Sequence, residues 1–339
     1  LAYFVVGTAV ANTIAKTVKS EYGGVALAFA ALFAAIAWNY ITWRFGMPSS
    51  SSHAIIGGLV GAGIAAGGLE AIDWSSVQKA GIGIILSPAV AFGIAFVAMY
   101  LVIGIQRMTK LHDDHPVFKG FQLVSAAAVS FGHGANDAQK TMGVIAALLL
   151  GAGYTEIGAD GKTIEVPEWA ALSAYAAIAL GTLWGGWKII ETMGLKITTL
   201  HANSGTAANI GATTAIFGAT AVGMPISTTH AAASSIVGAG VGSGKGANWK
   251  IVGEMLIAWV LTIPAAGLVA FGMFRLTKLP TALAVITLGV VVLAFGAWAA
   301  WAMAHTIHAE DVEAEILPEQ ALAEPLPGHP HLQGRGPVD

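Results

Sequence analysis

Residues 24–43, 80–106, 169–187 and 281–303 of this chain carry no charged side chain at all. Residues 251–274 contain only Glu254. A bilayer's hydrocarbon core is about 30 Å thick, and a helix needs roughly 20 apolar residues to cross it. Soluble domains carry about 25% charged residues; here the share is 10%, against 55% hydrophobic. Sixteen basic and nineteen acidic side chains cannot coat a 339-residue globule, so lipid must be the solvent for most of the surface. The sequence predicts an all-α polytopic membrane protein with about 9–10 hydrophobic segments. Glycine, 43 residues of it, falls largely inside the apolar segments, where small residues let helices approach closely.

Other classes are excluded quickly. There is no cysteine, hence no disulfide framework and no thiolate metal site. A net charge of −3 gives no argument for nucleic acid. The chain opens at Leu1, already within an apolar stretch, and no cleavable signal is visible. That start carries the expectation that the N-terminal part of the first repeat is missing.

The strongest organisational signal is an internal repeat. GMPSSSSHAIIGGLVGAG (46–63) realigns without a gap on GMPISTTHAAASSIVGAG (223–240), pairing Pro48 with Pro225, Ser50 with Ser227 and His53 with His230. Pro88 and Pro264, at nearly the same spacing, each fall in a long apolar segment and are expected to interrupt it. Paired segments interrupted by Gly or Pro point to secondary transporters built from inverted repeats with broken or half helices. The division expected is a first transmembrane repeat over 1–106 and a polar loop over 107–120. A second repeat with a final helix spans 121–303, and a disordered acidic tail 304–339. Arg107, Lys110 and Lys119 favour a cytoplasmic 107–120 loop over the acidic 154–168 connection.

SFGHGANDAQKTMG (130–143) divides a hydrophobic region into two pieces, each shorter than a span, leaving Asn136, Asp137, Gln139 and Lys140 near membrane depth. One charge at the bilayer centre costs roughly 2.5–3.5 kcal/mol. The favoured reading is a broken helix whose carbonyls join Asn136 and Asp137 in coordinating a small cation, since hard cations take oxygen ligands. The plainer reading is an Asp137–Lys140 ion pair beside a kink.

PSSSSH (48–53) and PISTTH (225–230) each open a half-helix, because proline suits a helix's first turn. Ser50, Ser51 and Ser52, with Ser227, Thr228 and Thr229, then gather hydroxyls and free N–H groups at positive dipole ends, where tetrahedral oxyanions bind. Ordinary N-capping is the alternative. Two repeat-related, hydroxyl-dense starts favour a shared ligand.

The remaining polar residues say less. His53 and His230 can donate to an anion, or be packed rings bonded to a backbone carbonyl. His133 can titrate near neutral pH. His112-Asp113-Asp114-His115 reads as a solvated turn rather than a metal site, and Glu191 as the i,i+3 partner of Lys188. GVGSGKGA (240–247) lacks the spacing and the Ser/Thr of a P-loop and reads as a flexible connection.

HGANDAQKTMG (133–143), GMPSSSSHAIIGGLVGA (46–62), WKIIETMGLKITTL (187–200) and GMPISTTHAAASSIVGAGVG (223–242) together resemble the PiT family of inorganic phosphate transporters, over roughly residues 1–303. The resemblance implies two inverted repeats, commonly in a homodimer, and uptake of phosphate coupled to Na⁺ or H⁺ across the cell membrane. It implies Asn136 and Asp137 as cation ligands, the six Ser/Thr positions around phosphate, and no metal beyond the coupling cation. The family's N-terminal Asn/His-Asp motif has no counterpart here, and Asn209 stands where an acidic residue is common.

The expected function is therefore cation-coupled symport of phosphate, with the membrane lipid as surroundings and no cofactor. No nucleophile–base pair is assembled, so no enzyme is expected. A sulfate or metal–phosphate permease on the same scaffold stays open, as does an anion channel. Phosphate at neutral pH keeps a proton that needs an acceptor, for which Asp137 is available; sulfate offers none.

Overall fold

The computed structural model describes residues 5–316. Twelve α-helices follow in order: α1 Ala9–Ala15, α2 Val25–Arg44, α3 Ser51–Gly67, α4 Trp74–Thr109, α5 Pro116–Gly151, α6 Glu168–Trp184, α7 Trp187–Glu191, α8 Ala202–Ala221, α9 Thr228–Gly242, α10 Trp249–Thr277, α11 Thr281–Ala304 and α12 Ala309–Ile316. The helices α2, α3 with its following 3₁₀ turn, α4, α10 and α11 are long and apolar enough to cross a membrane. The chain is a multi-pass membrane protein.

The repeat seen in sequence is visible in the helices. An offset of 177 residues carries α2 onto α8 with both ends coinciding, and carries Ser51, the start of α3, onto Thr228, the start of α9. The packing is crosswise: α3 lies against α2 and against α10 of the other repeat, while α9 lies against α8 and against α4. Glycine makes both crossings. A Cβ on Gly61 would stand 2.0 Å from the Gly267 carbonyl oxygen, and one on Gly238 would stand 2.4 Å from that of Phe92. Backbone cannot retreat as a flexible side chain can. Gly61→Ala is therefore expected to destabilise by at least about 1–3 kcal/mol. Gly81→Ala, with open space at its Cβ, should be neutral or stabilising by up to about 1 kcal/mol. Thermal melting of the two variants in detergent checks the contrast; equal melting points would contradict the crossing.

Several expectations are corrected. The α5 helix runs unbroken through Asn136 and Asp137, because the polar side chains there bond one another and their neighbours while the backbone ladder stays intact. Pro88 and Pro264 lie inside continuous helices α4 and α10; each removes one N–H donor without ending the helix, as membrane helices tolerate. Glu191 pairs with Lys196, and Lys188 Nζ instead donates to the Arg44 carbonyl at 3.1 Å, covering the end of α2. Part of the expected disordered tail is helical: α12 starts where Asp311 accepts from the His308 N–H at 2.8 Å, with Glu310 and Asp311 in its first turn. Residues 317–339 of that tail lie outside the described residues.

The connection between α4 and α5 shortens to 110–115, since Pro116 opens α5 and His115 accepts from the Val117 N–H at 3.3 Å. It is a half-exposed turn, as expected, and its two carboxylates are also tied to neighbouring helices. Asp113 accepts from Gln106 and Asn203, both at 3.0 Å, and Asp114 from the Ala202 N–H at 3.0 Å and His201 Nδ1 at 2.8 Å. The Gln106 bond holds the Asp113 carboxyl below the usual carboxylate range, and the Ala202 N–H and His201 do the same for Asp114. A depressed pKa stabilises above the unfolded value, near 3.9, and that stability is lost as pH falls through the folded value. Amide protection factors over 110–115 and the start of α8, exchange being corrected for its intrinsic pH dependence, should thus be flat from pH 8 to 5 and fall below about pH 4. Protection lost already at pH 6 would contradict control by these two carboxylates.

Candidate anion and cation site

The two half-helix starts are built alike. Ser50 is the N-cap of α3 and its side chain accepts from the His53 N–H at 3.2 Å; Ser227 caps α9 and accepts from the His230 N–H at 3.1 Å. Their proximity is direct. Ser52 Oγ donates to the Ile226 carbonyl at 2.6 Å, and the His53 and His230 rings meet edge to face with centroids 4.4 Å apart. His53, as expected of a packed ring, bonds a backbone carbonyl, that of Trp259, at 3.3 Å. The Trp259 indole stacks on His230 at 3.7 Å and donates to the Pro48 carbonyl at 2.9 Å, so one side chain of α10 ties both runs together.

Trp259 is a site residue that repeat reasoning misses. The Pro88–Pro264 spacing places Gly83 at the equivalent position, so the other repeat supplies no tryptophan. A tryptophan inside an apolar run reads as lipid-facing, and only the fold shows it turned inward.

Helix α5 brings the charges. Thr228 Oγ1 donates to Asp137 Oδ2 at 3.0 Å, and His133 Nδ1 lies 3.1 Å from the same hydroxyl and 3.3 Å from the same carboxylate oxygen. On the other oxygen, Oδ1, Lys140 Nζ sits at 2.5 Å. Lys140 is 1% exposed and is the largest fully buried side chain among the described residues. The ion pair, the plainer of the two sequence readings, is thus present, and it stands inside the site: Asp137 joins α5 to the first turn of α9. A buried pair of this kind gains little net stability, yet losing one partner costs about 3–5 kcal/mol.

Asn136 faces α8, where its Nδ2 donates to Thr220 Oγ1 at 2.9 Å. Its Oδ1 is buried with no hydrogen-bond partner. Such an orphaned carbonyl oxygen fits a hard cation, which takes oxygen ligands. Gln139, given no role in the sequence, accepts from the Val10 and Ala11 N–H groups at 2.9 and 3.2 Å and so covers the start of α1. Asn209 donates to Ser125 Oγ at 3.1 Å, a neutral contact between α8 and α5.

Of the six hydroxyl residues, four have partners within the protein: Ser50 and Ser227 as caps, Ser52 on Ile226 and Thr228 on Asp137. Ser51 and Thr229 bond no other described side chain or backbone group and are only partly buried.

Comparison with known proteins agrees with this architecture. A profile of the phosphate transporter family matches residues 1–114 and 104–270. A probable low-affinity inorganic phosphate transporter of Rhizobium meliloti strain 1021 is 46% identical over 244 residues, covering 71% of either chain. A protein of the same description from Bacillus subtilis strain 168 is 43% identical over 261 residues, 76% of this chain and 77% of its own. A solved structure described as the sodium-dependent phosphate transporter superposes with a TM-score of 0.71 at 26% identity, covering 82% of this chain and 87% of that one. These relatives are transporters, not enzymes. With the profile spanning well over half of its length, the chain belongs to the phosphate transporter family.

Proposed function

We propose that this protein carries inorganic phosphate across the cell membrane together with a cation, Na⁺ or H⁺, held beside the anion. The observation that carries this reading is the meeting of two repeat-related helix starts, through Ser52 and Ile226 and through His53 and His230. Backbone N–H groups and dipole ends at such starts favour an anion without a lysine or arginine contact. Asn136 and Asp137 lie one helix away, the first with an unpartnered carbonyl oxygen and the second bonded to Thr228 of the anion run.

Coupling follows from electrostatics. Bringing a bare anion into a low-dielectric site is costly, and a nearby cation offsets much of that cost. With Lys140 already neutralising Asp137, the carboxylate adds no net negative charge beside the phosphate. A coupling cation on Asn136 Oδ1, and on Asp137 Oδ2 in place of the Thr228 hydroxyl, would then leave a positive balance for the anion to cancel. The empty, neutral site is free to change its side of access, and no covalent step is required. Sodium coupling is the narrower form, supported by the solved relative's description.

The test is uptake of labelled phosphate into proteoliposomes of the purified chain, with Na⁺ and proton gradients imposed separately. Uptake driven by one gradient and not by the other names the coupling ion. Uptake indifferent to both would leave a channel, and no uptake at all would refute the reading.

A further inference from the structure

One nitrogen of the His53 ring is engaged and the other is not. Nδ1 lies 3.3 Å from the Trp259 carbonyl oxygen, which can only accept, so Nδ1 carries the proton. In the neutral ring Nε2 is then a bare lone pair. That atom is buried without a hydrogen-bond partner, in a residue 2% exposed. A buried acceptor left unmet costs free energy, so its usual fate is to receive a donor. Two buried hydroxyls of these runs give theirs elsewhere, Ser52 to Ile226 and Thr228 to Asp137, and neither Ser51 nor Thr229 donates to it. His53 also closes the Ser50–Ser52 run, and its ring touches that of His230, which closes the other.

We propose that His53 Nε2 accepts a hydrogen bond from a protonated oxygen of phosphate, and that this bond lets the site take phosphate and refuse sulfate. The inference rests on the anion site proposed above. Phosphate and sulfate are tetrahedral oxyanions of similar size, and helix N–H groups and hydroxyls serve both alike because all of them donate. Only an acceptor separates the two. Phosphate at neutral pH retains at least one P–OH, whereas sulfate retains none and would set an anionic oxygen against the lone pair. A site built to hydrogen-bond a substrate hydroxyl can reject the analogue lacking it by up to about 10⁴–10⁵. Asp137, the acceptor that the sequence offered for this proton, is occupied: Oδ1 by Lys140, Oδ2 by Thr228 and His133.

The experiment uses His53→Asn. The asparagine amide keeps a donor where Nδ1 stood, facing Trp259, and deletes Nε2. Labelled phosphate uptake by the full chain in proteoliposomes is competed by arsenate, which shares phosphate's shape and protonation, and by sulfate. Wild type should be inhibited by arsenate and indifferent to sulfate. In His53→Asn the half-saturation for phosphate should rise about 10–150-fold, the worth of one hydrogen bond to a charged partner, and sulfate should approach arsenate as a competitor. A variant that transports yet keeps the full preference over sulfate, or that weakens both anions equally, overturns the assignment. If the variant does not fold, the wild-type competition still decides: sulfate binding as tightly as arsenate refutes an acceptor in the site. Absence of wild-type phosphate uptake would instead refute the transport reading itself.

Discussion

Asp137→Asn is expected to reduce cation-dependent phosphate uptake to background while the protein still inserts in the membrane. Three contacts converge on this carboxylate: Lys140 at 2.5 Å, Thr228 at 3.0 Å and His133 at 3.3 Å. Neutralising it strands the Lys140 ammonium in a place with 1% exposure. Stability should fall by about 3–5 kcal/mol, the cost of an uncompensated buried charge. Lost uptake in the single variant alone would therefore be ambiguous, because misfolding gives the same result. Asp137→Asn combined with Lys140→Met resolves it. With both charges gone the pair's desolvation cost is gone too, and melting should return to within about 1–2 kcal/mol of wild type. Uptake should stay at background if Asp137 holds the coupling cation. Recovery of both stability and ion-dependent transport in the double variant would make the pair structural and remove Asp137 from the mechanism.

The same pair marks the limit of what the sequence discloses. The helix starts at Ser51 and Thr228 were legible because proline, hydroxyls and histidine recur at a fixed offset, and N-terminal chemistry is local. The course of α5 was not. A cluster of polar residues in an apolar run reads as a break only if their partners are unknown; here Lys140 meets Asp137 one turn away, Asn136 meets Thr220 and Gln139 meets α1, so the helix continues. Those partners lie up to 129 residues off in sequence. Trp259 was hidden for a related reason: the repeat supplies no counterpart, and its two-sided role depends on α10 crossing between the runs. Likewise the partners of Asp113 and Asp114 were out of sight because α8, whose first turn they bond, is some ninety positions downstream. Local signals predicted the parts, and long-range polar contacts decided how they joined.

Those contacts also sort the six hydroxyl residues into two groups with different expected behaviour. Ser50→Ala and Ser227→Ala remove caps whose oxygens are committed to the His53 and His230 N–H groups. Their main effect should be on stability, about 0.5–2 kcal/mol each, with half-saturation for phosphate moving little. Ser51 and Thr229 differ: they stand in the first turns of α3 and α9, only partly buried, and bond no other described group. They are not equivalent by the repeat, since the offset pairs Ser51 with Thr228 and Ser52 with Thr229. Each half-helix nonetheless keeps one uncommitted hydroxyl, because Thr228 is drawn to Asp137 on one side and Ser52 to Ile226 on the other. A hydroxyl donating to a phosphate oxygen is worth about 1.5–3 kcal/mol, or roughly 10–150-fold in affinity. Ser51→Ala with Thr229→Val should then raise the half-saturation by about 10²–10⁴-fold if the two losses add, with melting unchanged because no protein bond is broken. Equilibrium binding of labelled phosphate alongside thermal melting reads both quantities on one sample. Tight phosphate binding retained by this double variant, with Ser50→Ala or Ser227→Ala the more damaging, would mean that the anion engages these helices through backbone alone and that their free hydroxyls face something other than substrate.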